Sequence, residues 1–406
     1  MKYLIFFLLI FFFNIQIHTI KNYKHLVYKK KILQSPDQLI IHTLEINPQC
    51  YDIVLHRAQH GAESVYQMAQ ETGAIAAING GIFRFLGTFK NTPLGLLVID
   101  RIIHTDLQFL RGTIAWNNNG TPPTIAPINI AWHLNINGQL LPIDRINQPR
   151  ADNEAIVYTS EFKPTTLTNN NGIEITIENN NVFSIKTESG NNKIPKSGFV
   201  YSVGIDTYTF SSLKNINVGD HVNLFYDIQV DGILKKKYSP FQYMLSGSGL
   251  LIYNNTCSTK EQLHKELLEG SSIFYGDHPH IPDYHNTKNR TWLIEQKHPR
   301  TAVGVKKNGN WLFIVVEGNR TTCNTKNSGI TLPDLAHLMQ SLKCIYALNL
   351  DGGSSSTLYY NGAVQNKLSR SFLAPQNPIH QNGRSVTDAF LIFPKHFKKN
   401  SILIDN

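Results

Sequence analysis

Arg300-Thr301-Ala302-Val303-Gly304-Val305-Lys306-Lys307-Asn308-Gly309-Asn310-Trp311-Leu312-Phe313-Ile314-Val315-Val316-Glu317 reads as two apolar, β-prone runs joined through Asn308-Gly309. Asn-Gly between such runs is the strongest short-range hairpin signal, because both residues tolerate the left-handed dihedrals that a tight turn between twisted strands demands. A two-residue turn pairs Lys307 with Asn310 and, continued without a bulge, sets Arg300 opposite Glu317. The hairpin is thus expected to hold a guanidinium beside a carboxylate at its open end.

Outward from this hairpin, Thr331 to Leu342 has the spacing of a helix. Thr331-Leu332-Pro333-Asp334 resembles a capping box, Pro sits in the first turn, and Leu335, Leu338, Met339 and Leu342 share a face. Ile345-Tyr346-Ala347-Leu348-Asn349-Leu350 then reads as a strand that runs into Asp351-Gly352-Gly353-Ser354-Ser355-Ser356-Thr357. Helix, strand and an Asp and Gly-rich loop at the strand's carboxyl end is an order in which α/β proteins place chemistry. Upstream, residues 38–57 alternate like strands, and Gly61 to Gly73 carries Val65, Met68, Ala69 and Thr72 at helical spacing with Gly73 as the stop. Ala74-Ile75-Ala76-Ala77-Ile78 is a buried strand that empties into Asn79-Gly80-Gly81. From Pro122 to Tyr243 apolar runs are punctuated by Asn137-Gly138, Asn169-Asn170-Asn171-Gly172, Asn179-Asn180-Asn181 and Asp231-Gly232, which are turn signals in series.

The fold class expected from this order is α/β (mixed α+β), a mixed β-sheet core with packed helices and a strand-rich middle segment. Residues 38–121 and 244–394 form the two parts of one catalytic domain around the middle segment 122–243. A signal peptide (1–20) and basic linker (21–37) precede it, and a basic tail (395–406) follows.

Composition agrees with a globular chain. The 406 residues are 41% hydrophobic with 27 Gly and 18 Pro, which excludes disordered, collagen-like and disulfide-dense classes. The net charge of +9 is concentrated at one end: Lys2, Lys21, Lys24, Lys29, Lys30 and Lys31, with no acid among residues 1–31, carry +6 of it. A nucleic-acid binder needs its basic stripe on the folded body, so no nucleic-acid partner is expected. Met1-Lys2 precedes an apolar run, Tyr3 to Phe13, about 16 Å long as a helix against a hydrocarbon layer of about 30 Å. That pattern reads as a secretory signal, giving a secreted or periplasmic protein with no stable membrane span unless the segment stays uncleaved. Cys50, Cys257, Cys323 and Cys344 form no CxxC pattern and fit either buried thiols or one or two bridges. His278, His280 and His285 with Asp277 and Asp283 read as a solvated polar loop, so neither a metal site nor a cofactor is predicted, and metal dependence is left open.

Asp351 opens a loop rich in N–H and hydroxyl donors, suited to an anionic oxygen while the carboxylate handles a proton or a sugar hydroxyl; a self-capped tight turn explains the segment equally well. Asn79-Gly80-Gly81 offers an amide and close backbone approach, or is an ordinary strand-to-loop turn. Arg300 fits a phosphate clamp or an ion pair with Glu317. Arg384 completes an anion site or decorates the last strand. GxSxG, HExxH and GxxxxGK[ST] motifs are absent from the sequence.

Taken together, Ala77-Ile78-Asn79-Gly80-Gly81-Ile82-Phe83, Ile146-Asn147-Gln148-Pro149-Arg150 with Val157-Tyr158-Thr159, His298-Pro299-Arg300-Thr301-Ala302-Val303-Gly304, Asn349 to Thr357 and Arg384-Ser385-Val386 resemble the phosphodiester glycosidase family, in family order from about Ala74 to Phe393. Two positions depart from it: Glu317-Gly318-Asn319-Arg320 stands where the family usually reads Asp-Gly-Arg, and Ser354 where it usually has a third Gly. The resemblance implies hydrolysis of a sugar 1-phosphodiester to free sugar and a phosphomonoester, with a phosphosugar or glycan as substrate. It implies catalytic roles for Asp351, Glu317 and Arg300, and substrate binding by Asn79, Gly80, Gly81, Thr301, Gly352, Gly353, Ser355, Ser356 and Arg384. Rival readings are a glycosidase acting on cell-envelope or exopolysaccharide glycan and a non-catalytic glycan-binding module.

Overall fold

A computed structural model describes residues 23–34, 38–106, 111–235, 241–269, 287–318, 328–369 and 382–395. The expected signal segment 1–20, the His278–His285 loop, Cys323 and Arg320 lie outside the described residues.

Two antiparallel sheets face each other. The larger has seven strands in the order Leu26–Leu33, Leu39–Ile46, Trp311–Val316, Arg300–Lys306, Cys344–Asn349, Leu250–Tyr253 and Thr256–Cys257. The smaller has five, in the order Ala363–Val364, Leu358–Tyr360, Ala76–Asn79, Asp388–Pro394 and Tyr51–Arg57. Strand side chains alternate between faces, and the pattern here is strict. Val303, Val305, Trp311, Phe313 and Val315 point inward to Ile53, Leu55, Ile78, Phe390 and Ile392 of the smaller sheet. Ala302, Leu312, Ile314 and Val316 point outward, under the helix α4 (Leu332–Ser341), which presents Leu335, Ala336 and Met339. Full burial of each large apolar side chain contributes about 1.5–3 kcal/mol, so this parity decides which strand faces can be exposed.

The helix α1 (Val65–Thr72) covers the outer face of the smaller sheet with Val65, Met68 and Ala69. Its ends follow the sequence: Ser64 Oγ accepts the Gln67 N–H, and Gly73 takes φ 72°, where a Cβ would be strained. Thr331 caps α4 reciprocally, accepting the Asp334 N–H at 3.1 Å and donating to Asp334 Oδ2 at 2.7 Å. Two further short helices, α2 (Lys260–Glu269) and α3 (Thr287–Glu295), lie beside α4, with Leu263 and Ile294 buried in the same cluster.

The middle segment forms a five-stranded sheet and supplies four strands of an eight-stranded one, which Leu97–Ile99, Ile102–Thr105, Arg111–Trp116 and Tyr243–Ser246 complete. Its expected turns occur where the asparagines stand: Asn137-Gly138, Asn179-Asn180 and Asp231-Gly232 all take positive φ between paired strands. The eight-stranded sheet also reaches the main core, where Trp116 stacks on Phe390 at 5.5 Å and donates its indole N–H to Ile53 O at 2.7 Å.

Two expectations are corrected. The fold is mainly β rather than an α/β sheet with packed helices. Among the described ladders, Arg145–Ile146 with Ala155–Thr159 alone runs parallel. The strand–helix–strand order around α4 mimics a parallel unit, but the Arg300–Lys306 strand lies between Trp311–Val316 and Cys344–Asn349 and pairs antiparallel with both. The hairpin register also differs. Arg300 pairs with Val316 and Val305 with Trp311, because the loop is the three-residue Lys307-Asn308-Gly309 with Gly309 at φ 82°. This shift of one residue puts Arg300 and Glu317 on opposite faces of the sheet.

Candidate active site

The register decides which groups meet between the sheets. Thr301 and His42 both pair with Val315, so they share its inward face, and Glu317 lies two residues further along the same strand direction. Asn79 ends its strand in the facing sheet and is fully buried. Its Oδ1 accepts the Thr301 hydroxyl at 2.9 Å and the Thr357 N–H at 3.1 Å, and its Nδ2 donates to Asp351 O at 2.8 Å. The Asp351 N–H in turn donates to Gly80 O at 3.1 Å. One amide side chain therefore ties both sheets to the Asp351 loop, its oxygen accepting twice and its nitrogen donating once.

Asp351 itself is half-buried, and its Oδ1 accepts the Gly352 N–H at 2.9 Å. Gly353 takes φ 64° and donates its N–H to Pro299 O at 2.8 Å, which turns Gly353–Ser355 into a single 3-10 turn. Ser354 and Ser355 each lie with Oγ 3.3 Å from Arg384 Nη1. The Arg384 guanidinium sits 5.0 Å and 5.1 Å from the ring centres of Phe83 and Phe85, which hold the cation without neutralising it. Ser356 is buried beside this turn, and its Oγ has no hydrogen-bond partner among the described residues.

Gly80 and Gly81 border a residue the sequence reading overlooked. Asp388 is 1% exposed; its Oδ1 accepts the Gly81 N–H at 2.7 Å and its Oδ2 the Thr387 hydroxyl at 2.8 Å. Burial pushes its carboxyl up to about 6, with the Asp351 charge acting in the same direction against the Gly81 amide, the Thr387 hydroxyl and Arg57.

Glu317 belongs to a second buried group, also missed apart from the acid itself. His42 Nε2 lies 2.7 Å from Glu317 Oε1, the Tyr28 hydroxyl 2.9 Å from His42 Nδ1, and the Lys367 N–H donates to Glu317 Oε1 at 2.8 Å. With the ring proton on Nε2, His42 donates to Glu317 and accepts from Tyr28, so one tautomer serves both neighbours. Burial works against ionisation of Glu317, but the His42 and Lys367 hydrogen bonds outweigh it and hold the carboxyl below its ordinary range.

Arg300 does not join these acids. Its Nε donates to Ile330 O at 3.1 Å, and its Nη2 to Leu293 O at 2.6 Å and Gln296 O at 3.1 Å. Leu293 and Gln296 carry carbonyls at the carboxyl end of α3, where helix C=O groups lack intrahelical donors and a cation is favourable. These bonds serve to fasten α3 to the large sheet, and the expected pairing with Glu317 is not formed.

The structure thus brings Asn79, Gly80, Gly81, Thr301, Asp351, Gly352, Gly353, Ser355 and Ser356 together at one edge of the two-sheet core, with Arg384 against the serine turn. Glu317 ends a strand two positions across the same edge, about 10 Å away at ordinary strand spacing. Asp388 left a faint trace in the sequence, a lone acid opening the apolar run Ala389 to Phe393. His42 left the parity of a polar residue on an inward position. Among the described residues no group of three or more His, Cys, Asp or Glu is arranged to hold a metal ion, and no helix is long and apolar enough to cross a membrane.

A mainly β protein with a carboxylate, amide and hydroxyl cluster where its seven-stranded and smaller core sheets meet is the class that fold and site define. The family model for phosphodiester glycosidase matches residues 171–393, more than half of the sequence, and the chain belongs to that family. It is 27% identical over 254 residues to the uncharacterized protein RC0079 of Rickettsia conorii, covering 62% of this chain and 77% of that protein. It is 27% identical over 158 residues to N-acetylglucosamine-1-phosphodiester alpha-N-acetylglucosaminidase of Bos taurus, covering 36% of this chain and 26% of the bovine protein. The uncharacterized SPbeta prophage-derived protein YomE of Bacillus subtilis matches at 39% over 80 residues, 20% of this chain and 12% of YomE. A hypothetical protein from Synechocystis has the same fold, with a TM-score of 0.70 at 20% identity over 91% of this chain and 62% of that one.

Proposed function

We propose that this chain is an exported hydrolase that cleaves a sugar 1-phosphodiester into a free sugar and a phosphomonoester. The observation that carries the reading is Asp351, tied to Asn79 and Gly80 across the two sheets, beside the serine turn that meets Arg384. Family membership supports the reaction class, and the bovine relative's name supports the bond type.

In this reading the phosphate lies against Arg384 and the Ser354 and Ser355 hydroxyls, with N–H groups of the Gly352–Gly353 turn nearby. Charge that develops on the departing phosphomonoester is met by donors already in place, and such preorganised donors do most of the work when the leaving group is good. Asp351 receives a proton from the attacking water or stabilises an oxocarbenium-like sugar. Water supplies the hydroxyl of one product and the proton of the other, so the products are the same for C–O and P–O cleavage. Asn79 and Thr301 position Asp351, and Glu317, held ionised by His42, contributes negative charge further along the edge. Arg300 acts in support, through α3.

Incubation with methylphospho-GlcNAc tests the reading: free GlcNAc should be released by the native chain and not by Asp351→Asn. Binding of the phosphodiester with no release under any condition favours the glycan-binding module instead, and release of sugar from a phosphate-free glycan alone favours the plain glycosidase.

A further inference from the structure

The edge strand Leu26–Leu33 carries Lys29, Lys30 and Lys31, yet it reaches the site with a single side chain. Alternation turns Leu26 and Tyr28 toward the core and leaves Val27 and Lys29 exposed. The Tyr28 ring stacks on Tyr360 at 5.5 Å, and its hydroxyl stands 2.9 Å from Nδ1 of the fully buried His42. On the other side of the imidazole, Nε2 lies 2.7 Å from Glu317 Oε1, and the Lys367 N–H reaches the same oxygen at 2.8 Å. Oε1 is thus engaged twice, whereas Oε2 has no hydrogen-bond partner among the described residues and is not sealed from the surface. The chain beside this acid leads to the serine turn: Asn366 donates to Ser356 O at 2.9 Å and accepts the Leu358 N–H at 2.7 Å. Of the cations nearby, Lys30 is exposed on the strand position paired with His42, and Arg300 lies on the other face of the sheet, bound to α3.

We propose that Tyr28 and His42 are positioning residues that aim Glu317: Tyr28 fixes the imidazole as the Nε2–H tautomer, the imidazole holds Oε1, and Oε2 is left as the working oxygen. The inference deepens the hydrolase reading and rests on Glu317 being one of its acids. A neutral imidazole offers one donor and one acceptor, so a Tyr28 hydroxyl that donates to Nδ1 leaves the ring proton on Nε2, facing the carboxylate. Burial alone would disfavour the ionised acid, and the His42 and Lys367 hydrogen bonds outweigh it. An oxygen that already accepts two N–H bonds has little capacity left, whereas Oε2 keeps its lone pairs for a water or a sugar hydroxyl. A displacement of about 1 Å in such a group costs about 100-fold in rate, so a fixed imidazole matters to turnover without touching substrate. Both positioning residues precede residues 171–393, the stretch matched by the family model.

Long-range 1H–15N spectra of the full chain labelled with 15N-histidine read the tautomer directly, with His42 assigned among the 16 histidines by its loss in His42→Gln. His42 should carry its proton on Nε2 and none on Nδ1. Labelling with 15N-lysine adds the Lys367 amide as a reporter of Glu317. Glu317 is held below its ordinary value of 4.5, so this amide should inflect below that pH in the native chain. In His42→Ala, which lacks the charged hydrogen bond, the inflection should lie about one unit higher. His42→Ala should also lower kcat on methylphospho-GlcNAc by about tenfold to 100-fold with KM little changed. Glutamine can place an N–H near the position of imidazole Nε2, so His42→Gln should restore the Lys367 inflection and most of kcat. Tyr28→Phe keeps the ring but not the donor; it should lower kcat by about threefold or more and serves if the Ala variant does not fold. A proton on Nδ1 of His42 overturns the proposal, and so does a Lys367 inflection that His42→Ala leaves in place. Equal kcat in the Ala and Gln variants, or native kcat in Tyr28→Phe, overturns it as well, because a merely structural pair gains nothing from the restored N–H. If both spectra behave as described but the native chain releases no sugar, the hydrolase reading fails and the hold on Glu317 stands; if sugar is released with the proton on Nδ1, the hold fails and the hydrolase reading stands.

Discussion

Asn79→Ala should destabilise the chain more than most single substitutions. Asn79 is fully buried, and its amide serves three partners: Asp351 O, the Thr301 hydroxyl and the Thr357 N–H. Truncation leaves all three without their partner, and each buried group left unsatisfied costs about 1–3 kcal/mol. The Thr301 hydroxyl can rotate to another acceptor, whereas the main-chain groups of Asp351 and Thr357 cannot. The sum is therefore about 3–5 kcal/mol, set against about 5–15 kcal/mol of total stability for a folded domain. Urea unfolding followed by tryptophan fluorescence reads it directly, since Trp116 and Trp311 lie in the core between the two sheets. The midpoint should fall with the m-value unchanged. A double-mutant cycle with Thr301→Val should return a coupling of about 1 kcal/mol, because the two side chains share one hydrogen bond. A loss below about 1 kcal/mol, or strict additivity in the cycle, would refute the claim that this amide joins the sheets to the Asp351 loop.

Three further outcomes follow from the same geometry. Asp351→Asn should lower kcat by about 100-fold to 10,000-fold while shifting the unfolding midpoint little, as measured by steady-state kinetics beside denaturation. Glu317 is held below its ordinary value of 4.5, so it adds stability above that pH and loses it as pH falls through the lower native value. Melting temperatures of Glu317→Gln should consequently lie below the native chain at neutral pH and converge with it in acid. Losing a buried hydrogen bond to a charged group, here the one from His42, costs about 1.5–3 kcal/mol. Arg300→Ala should lower stability and expose α3 to proteolysis without raising KM for a phosphodiester, whereas Arg384→Ala should raise KM by about tenfold or more.

The contrast between Arg300 and Arg384 shows where sequence reading stopped. A hairpin around Asn308-Gly309 was legible from two β-prone runs and a turn dipeptide. The number of loop residues was not, since Asn-Gly fits both a two-residue turn and a three-residue loop ending on a left-handed glycine. That single residue decided whether Arg300 faced Glu317 or the carbonyls of α3. Helix ends were legible because their determinants are local: Ser64 with Gly73, and Thr331 with Asp334, lie within a few turns of each other. Fold class was less so, because the hairpin strand that separates Trp311–Val316 from Cys344–Asn349 precedes both in the chain and only the three-dimensional order reveals it between them. Asp351 and Asn79 stood out through their glycine-rich loops. His42 and Asp388 stood out little, since their partners are 275 and 307 residues away and nothing local marks a buried polar residue whose bonds are long-range.

The central claim is that an anionic ester is held where the two sheets meet, between Asp351 and the Arg384–serine turn. A crystal of the full chain soaked with a sugar 1-phosphate tests this most directly. The account predicts phosphate oxygens on Arg384 and the Ser354 and Ser355 hydroxyls, with the anomeric carbon turned toward Asp351. Phosphate bound elsewhere, with the Asp351 turn unoccupied at saturating ligand, would contradict it.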